Sequence, residues 1–74
     1  MNLSTMTPED ITALASDVCP HGAWETVNLH AEGIVNNRAV FVSIDPSESY
    51  FQVLTHAHGL QIAKDKDALR PLLT

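Results

Sequence analysis

The sequence predicts a small α+β domain, a two-layer sandwich in which two helices lie against one face of an antiparallel sheet. Three observations predict it. The chain begins with apolar residues at helical spacing, continues with segments that alternate with a period of two, and ends with a short apolar segment behind an acidic cap. The 74 residues suit one domain, 1–74, and the short connections favour an antiparallel meander. The predicted order is a helix, three or four strands, and a short helix.

The first helix is predicted from about Pro8 to about Val18. Thr7 suits the N-cap, Pro8 suits the first helical position, and early carboxylates favour the positive end of the helix dipole. Apolar residues then recur on one side of the helix, at Ile11, Leu14, Ala15 and Val18. Pro20 and Gly22 end the helix, because proline disfavours a helical residue before it and glycine frees the backbone to turn.

Two strands and a hairpin are predicted next. Polar and apolar residues alternate from Trp24 to about Ala31, which is typical of a half-buried strand. Gly33 and then Asn36-Asn37 tolerate positive φ, so they predict a turn that returns the chain into a second strand, Arg38 to Ile44.

The remaining segments complete the meander. A loop at 45–49 precedes a third strand, from Tyr50 to about Ala57. Gly59 interrupts this run, and residues 60–63 form either a short fourth strand or an extended continuation. Asp65 caps a last helix that starts near Lys66, and a proline at position 71 makes this helix short or distorted.

Residues 39–44 and 50–54 are apolar on both faces of their predicted strands, because side chains alternate across a strand. Two helices cannot cover both faces. A shift of one residue in strand register would exchange the two sets of side chains. The sequence alone therefore does not decide which set faces the helices. We therefore predict a non-enzymatic protein-binding module, which self-associates as a homodimer or binds a protein partner through an apolar sheet face or an edge strand. The candidate contact residues are Trp24, Phe41, Tyr50 and Leu54.

Charge and composition limit the classes of partner and ligand that the chain can bind. Nine acidic and four basic residues give a net charge of −5, and no basic patch is present, which argues against nucleic acid. The N-terminus carries neither a basic segment nor a long apolar run, so no membrane association is predicted. A single cysteine fits a reducing compartment, and we expect a cytoplasmic protein. No serine has a nucleophile-elbow setting and no glycine-rich loop follows a strand, so neither a catalytic residue nor a cofactor is predicted.

Two alternatives remain open. Cys19, His21, His56 and His58 together make a possible metal-binding or thiol-dependent site. In a strand, His56 and His58 would lie on the same side about 7 Å apart. Their spacing matches no familiar zinc motif, and exposed histidines at the polar edge of a sheet are the simpler interpretation. The chain is also similar, in size and acidic character only, to accessory proteins of phages and mobile elements that inhibit a host complex.

Overall fold

The computed structural model describes residues 3 and 5–73, and it confirms the predicted α+β class. An N-terminal helix is followed by a five-stranded antiparallel meander and a short C-terminal helix. Each strand pairs with the next along the chain, in the order β1-β2-β3-β4-β5. The elements are α1 (Pro8–Val18), β1 (Ala23–Val27), β2 (His30–Val35), β3 (Arg38–Ile44), β4 (Phe51–Thr55), β5 (Gly59–Ala63) and α2 (Lys66–Leu72).

Helix α1 has the predicted bounds. The Thr7 hydroxyl accepts a hydrogen bond from Asp10 N at 3.1 Å, and the Asp10 carboxylate accepts one from Thr7 N at 3.0 Å. This reciprocal pair is a capping box, which satisfies two backbone donors at the start of the helix. At the other end, Cys19 N donates to Ala15 O at 2.8 Å before the chain turns away.

The predicted first strand, Trp24 to Ala31, is wrong, because a tight turn divides it into β1 and β2. Asn28 has a φ of 55°, a conformation that asparagine tolerates. Leu29 lies in this turn and is 79% exposed, although the alternating pattern suggested a strand position. The division makes five strands instead of three or four. Gly33 consequently lies within β2 rather than in a turn.

The next turns follow the predictions more closely. Asn36 and Asn37 both have positive φ, 53° and 65°, as a tight hairpin between β2 and β3 requires. The β4 strand ends at Thr55, two residues before the predicted end. There the Thr55 hydroxyl accepts a hydrogen bond from His58 N at 3.1 Å, and Gly59 follows with a φ of 67°. Of the two alternatives for residues 60–63, the structure shows a separate strand, β5.

Helix α2 begins behind the predicted cap. The Asp65 carboxylate accepts a hydrogen bond from Ala68 N at 2.9 Å. Pro71 lies in its last turn, and the helix ends after seven residues, as expected for a short helix. Among the described residues, no helix has the length and apolar character needed to cross a membrane.

The two helices pack on the same face of the sheet. Helix α1 contacts β1, β2 and β3, whereas α2 contacts β4 and β5. We call this helix-covered side the inner face and the opposite side the outer face. The core between the helices and the sheet consists of buried apolar residues: Leu3, Ile11, Ala15, Val18, Cys19, Ala31, Val35, Val40, Val42, Phe51, Val53, Ala63, Leu69 and Leu73.

Candidate functional site

The outer face of the sheet carries one continuous row of side chains that crosses all five strands. Strand pairing places Glu25 opposite Glu32, Glu32 opposite Phe41, Phe41 opposite Leu54, and Leu54 opposite Leu60. Because directly paired residues in an antiparallel sheet point to the same side, these five side chains form a single line. The line is acidic at the β1 end and apolar at the β5 end.

The apolar end of the row forms the surface that we call the apolar patch, which consists of Phe41, Leu54, Leu60 and Ile62. Leu54, Leu60 and Ile62 are 47%, 58% and 56% exposed, while Phe41 is half-buried. Neither helix covers these side chains, and the core on the inner face is closed without them. Contiguous apolar surface of this kind is typical of an interaction site.

The acidic end of the row brings two carboxylates together. Glu25 and Glu32 are cross-strand partners, and like charges in that arrangement destabilise a sheet. A depression of about 280 Å³ lies over them, and Ala23 and Ile34 complete its outward-facing lining. No lysine or arginine occupies an outward-facing position in any of the five strands. The carboxylate pair is therefore not neutralised by a cation on its own face.

A third carboxylate lies where β3 ends. The Asp45 carboxylate accepts hydrogen bonds from Ser47 N at 2.8 Å and from the Gln52 amide at 2.9 Å. The Ser47 hydroxyl, the Ser47 N–H and the Gln52 amide hold the pKa of Asp45 below its ordinary value of 3.8, outweighing the effect of partial desolvation. Asp45 is therefore ionised at neutral pH, and it adds to the negative charge at the margin of the outer face.

His30 packs beside the apolar patch. Its ring meets the Phe41 ring edge to face, with 5.5 Å between the centroids. This contact lies on the β2 side of Phe41, and Leu54 lies on the β4 side. His30 Nε2 is buried and, within the part of the chain that the structure describes, makes no hydrogen bond.

The four predicted contact residues fall in three places. Phe41 and Leu54 are neighbours in the row that crosses the outer face. Tyr50 is exposed immediately before β4, and its carbonyl oxygen accepts a hydrogen bond from Asp45 N at 2.9 Å. Trp24 lies on the inner side, where its indole N–H donates to Cys19 O at 3.0 Å. The structure thus brings two of the four together and gives Trp24 a packing role.

Four further outer-face residues were not among the contact residues predicted from the sequence, namely Glu25, Glu32, Leu60 and Ile62. The alternation of Leu60, Gln61 and Ile62 does carry a signal for an exposed apolar pair on one strand face. The carboxylate pair has no such signal, because Glu25 and Glu32 meet only across the β1–β2 hairpin, where a single strand was predicted.

The alternative metal or thiol site is only partly assembled. Cys19 Sγ lies 3.5 Å from His21 Nε2, but the cysteine is fully buried and its sulfur also contacts Leu73 O at 3.6 Å. His56 and His58 lie in the turn after β4, so their predicted placement on one side of a strand is wrong. Among the described residues, no group of three or more His, Cys, Asp or Glu side chains is placed to hold a metal ion.

An open cleft of about 1110 Å³ lies at one end of the sheet, between the β2–β3 and β4–β5 turns and the end of α2. Arg38, His56 and His58 line it, and all three are exposed. No polar or charged residue of the described chain is buried. The cleft therefore lacks the desolvated polar groups that give small-molecule sites their specificity. Phe41 and Leu54, which also line it, belong to the apolar patch of the outer face.

Comparison of the chain with protein-family models, with curated proteins and with solved structures finds no match.

Proposed function

We propose that this protein is a non-enzymatic protein-binding module whose outer sheet face docks a partner protein that presents apolar side chains beside a lysine or arginine. The proposal rests on the row of outer-face side chains that crosses all five strands. In this row, two carboxylates and three apolar side chains follow one another. Such a row has two chemically different ends, so it selects both the composition and the orientation of a partner.

The apolar patch supplies the affinity. Burying an exposed leucine or isoleucine completely is worth about 1.5–3 kcal/mol. Leu54, Leu60 and Ile62 are each roughly half exposed, so covering them recovers part of that amount at three adjacent positions. Phe41 is held in place by His30, and a pre-positioned aromatic ring loses little side-chain entropy on binding.

The carboxylate pair supplies the specificity. A guanidinium or ammonium group in the depression over Glu25 and Glu32 would neutralise two charges that now repel each other. Two copies of this face stacked on each other would place these carboxylates either against each other or against the apolar patch, with no cation on either side. Charge complementarity therefore favours a different protein on the outer face, and it leaves self-association to another surface of the chain.

The single cysteine bears on the cellular compartment in which the protein acts. Cys19 is fully buried and has no second cysteine with which to pair, so the fold uses the reduced thiol as an apolar core residue. A reducing compartment suits this use, and the proposal places the protein in the cytoplasm.

Affinity capture with matched variants tests the proposal. The parent chain, Leu54→Asp, the double variant Glu25→Gln/Glu32→Gln and the control Ser16→Asp serve as baits in extract of the native cells. Ser16 is exposed on α1, on the opposite side of the molecule from the row. We expect the parent and Ser16→Asp to capture the same protein and Leu54→Asp to lose it. The double variant should retain less of it than the parent at low salt, and should lose less of what it retains as salt rises.

A photo-reactive amino acid at position 54 should cross-link to the captured protein, and the same group at position 16 should not. With the captured protein purified, we expect Leu54→Asp to weaken binding at least about tenfold, which is about 1.4 kcal/mol. The proposal is wrong if Leu54→Asp, shown by circular dichroism to be folded, captures the same protein as the parent and binds it equally well.

A further inference from the structure

The last strand of the sheet, β5, is an edge strand without the usual protection. One of its sides pairs with β4, and no strand among residues 3 and 5–73 pairs with the other. Its sequence, Gly-Leu-Gln-Ile-Ala, contains neither a charge nor a proline, the two devices that most often prevent an edge from pairing with another chain. The opposite edge, β1, carries Glu25 at its centre. The two edges of the sheet are therefore unequal.

We propose that β5 pairs antiparallel with β5 of a second copy of this chain, about a twofold axis that passes beside Gln61. This pairing places Gly59 opposite Ala63 and Leu60 opposite Ile62, and it does so twice because the operation is symmetric. Both Leu60 and Ile62 point to the outer face and are more than half exposed. Each therefore gains an apolar cross-strand partner of the kind that stabilises sheets.

Gln61, the residue at the axis, can pair with Gln61 of the second copy. Gln61 is half-buried on the inner side, opposite Val53. A primary amide is both a donor and an acceptor, so two glutamine side chains can hydrogen-bond to each other across the axis. The same operation applied to β1 would place Glu25 against Glu25, where two carboxylates repel. Pairing of β1 with β5 of another copy would be heterologous, and it would give a ring or an open filament instead of a closed pair.

The resulting dimer has a continuous ten-stranded sheet. Its two apolar patches meet at the axis, while the two carboxylate pairs lie at the far ends. Each chain carries a net charge of −5, so long-range repulsion opposes association although β5 itself is neutral. We therefore expect added salt to strengthen the dimer, because it screens the repulsion without weakening backbone hydrogen bonds between the edges.

The test is a charge exchange at the axis, followed by sedimentation equilibrium over a concentration series. The parent should rise from the mass of one chain, 8.1 kDa, to twice that mass. Gln61→Glu and Gln61→Lys should each stay at the mass of one chain, because each places like charges together at the axis. An equimolar mixture of the two should recover the dimer mass, since only the mixed pair has opposite charges there.

A second measurement does not depend on the folding of the charged variants. In Gln61→Cys, mild oxidation should link two chains through position 61, because directly opposite residues bring their Cβ atoms within about 5.5 Å. Glu25→Cys, on the other edge, should not form this link. The proposal is wrong if the parent keeps the mass of one chain at its highest soluble concentration, if the mixture fails to associate, or if both cysteine variants link equally.

The edge proposal and the face proposal can fail separately. The Gln61 side chain lies on the inner side, so a monomeric Gln61→Lys that still captures the outer-face partner would show that partner binding does not need the dimer. Conversely, a Leu54→Asp chain that dimerises like the parent but captures no partner would assign the two activities to different surfaces.

Discussion

Gly33 shows how the absence of one side chain fixes the position of another. The Trp24 ring packs directly over this glycine, and a Cβ atom added to Gly33 would lie 2.3 Å from Trp24 Cε3. We expect Gly33→Ala to displace the indole and to lower the free energy of unfolding by about 1–3 kcal/mol, as overpacking does elsewhere. Urea unfolding followed by circular dichroism measures the change.

The control for this prediction is a double-mutant cycle with Trp24→Val. With the indole removed, the penalty for Gly33→Ala should largely disappear, because the clash has lost its second member. An equal penalty in both backgrounds would show that the backbone of β2, rather than the Trp24 ring, requires glycine at position 33.

Asp45 gives the fold a predictable response to acid. Its folded pKa lies below 3.8, so the ionised carboxylate contributes stability that is fully present above that pH and is lost as the pH falls through the folded pKa. Asp45→Asn keeps one acceptor oxygen, for Ser47 N, replaces the oxygen that faces Gln52 with an amide donor, and does not titrate. The parent should therefore lose its advantage over Asp45→Asn as the pH falls below 3.8. A difference in unfolding free energy that stays constant at all pH values would contradict this assignment.

The sequence predicted the positions of some single residues and not those of others. Strand alternation identified Phe41 and Leu54, because that periodicity is a local property of the backbone. The role of Trp24 depends on its hydrogen bond to Cys19 O, which exists only because the chain folds back after α1. His56 and His58 lie in a turn that begins with a hydrogen bond to the Thr55 side chain, a signal that apolar periodicity does not contain.

At the scale of elements, the start of α1 is held by its own cap. Replacing Thr7 with alanine removes the acceptor for Asp10 N and should lower the free energy of unfolding by about 1 kcal/mol. Ser16→Ala, at an exposed position inside the same helix, is the matched control and should be neutral or slightly stabilising. Equal losses in the two variants, measured by urea unfolding, would mean that the cap bond contributes nothing.

Elements with local signals were predicted well, and those without them were not. The bounds of α1 follow from Thr7, Pro8 and Pro20, which act on their immediate neighbours. The β1–β2 hairpin was missed because Leu29 continues the alternation of polar and apolar residues through the turn, although its side chain is exposed there. The turn depends on the positive φ of Asn28, and a single asparagine is a weaker turn signal than the adjacent pair at 36 and 37.

At the scale of the whole molecule, the sheet is covered on one side only. The sequence predicted a surplus of apolar strand surface, but alternation alone could not say which set faces the helices. The helices are placed by contacts between residues far apart in the chain, which bring Leu69 and Leu73 against the same core as Ile11 and Ala15. Once the inner face is fixed, the candidate surface follows from strand register.

This one-sided architecture predicts different costs for neighbouring residues of β4. Val53 is fully buried on the inner face, whereas Leu54 is 47% exposed on the outer face. Val53→Thr places a hydroxyl in the apolar core and should cost about 1–3 kcal/mol, while Leu54→Thr should cost about 0.5 kcal/mol or less. Urea unfolding at low protein concentration compares the two variants without a contribution from dimerisation. Equal losses of unfolding free energy in the two variants would mean that Leu54 belongs to the packed core. The outer face would then be needed for folding, and it would no longer be a surface left free for binding.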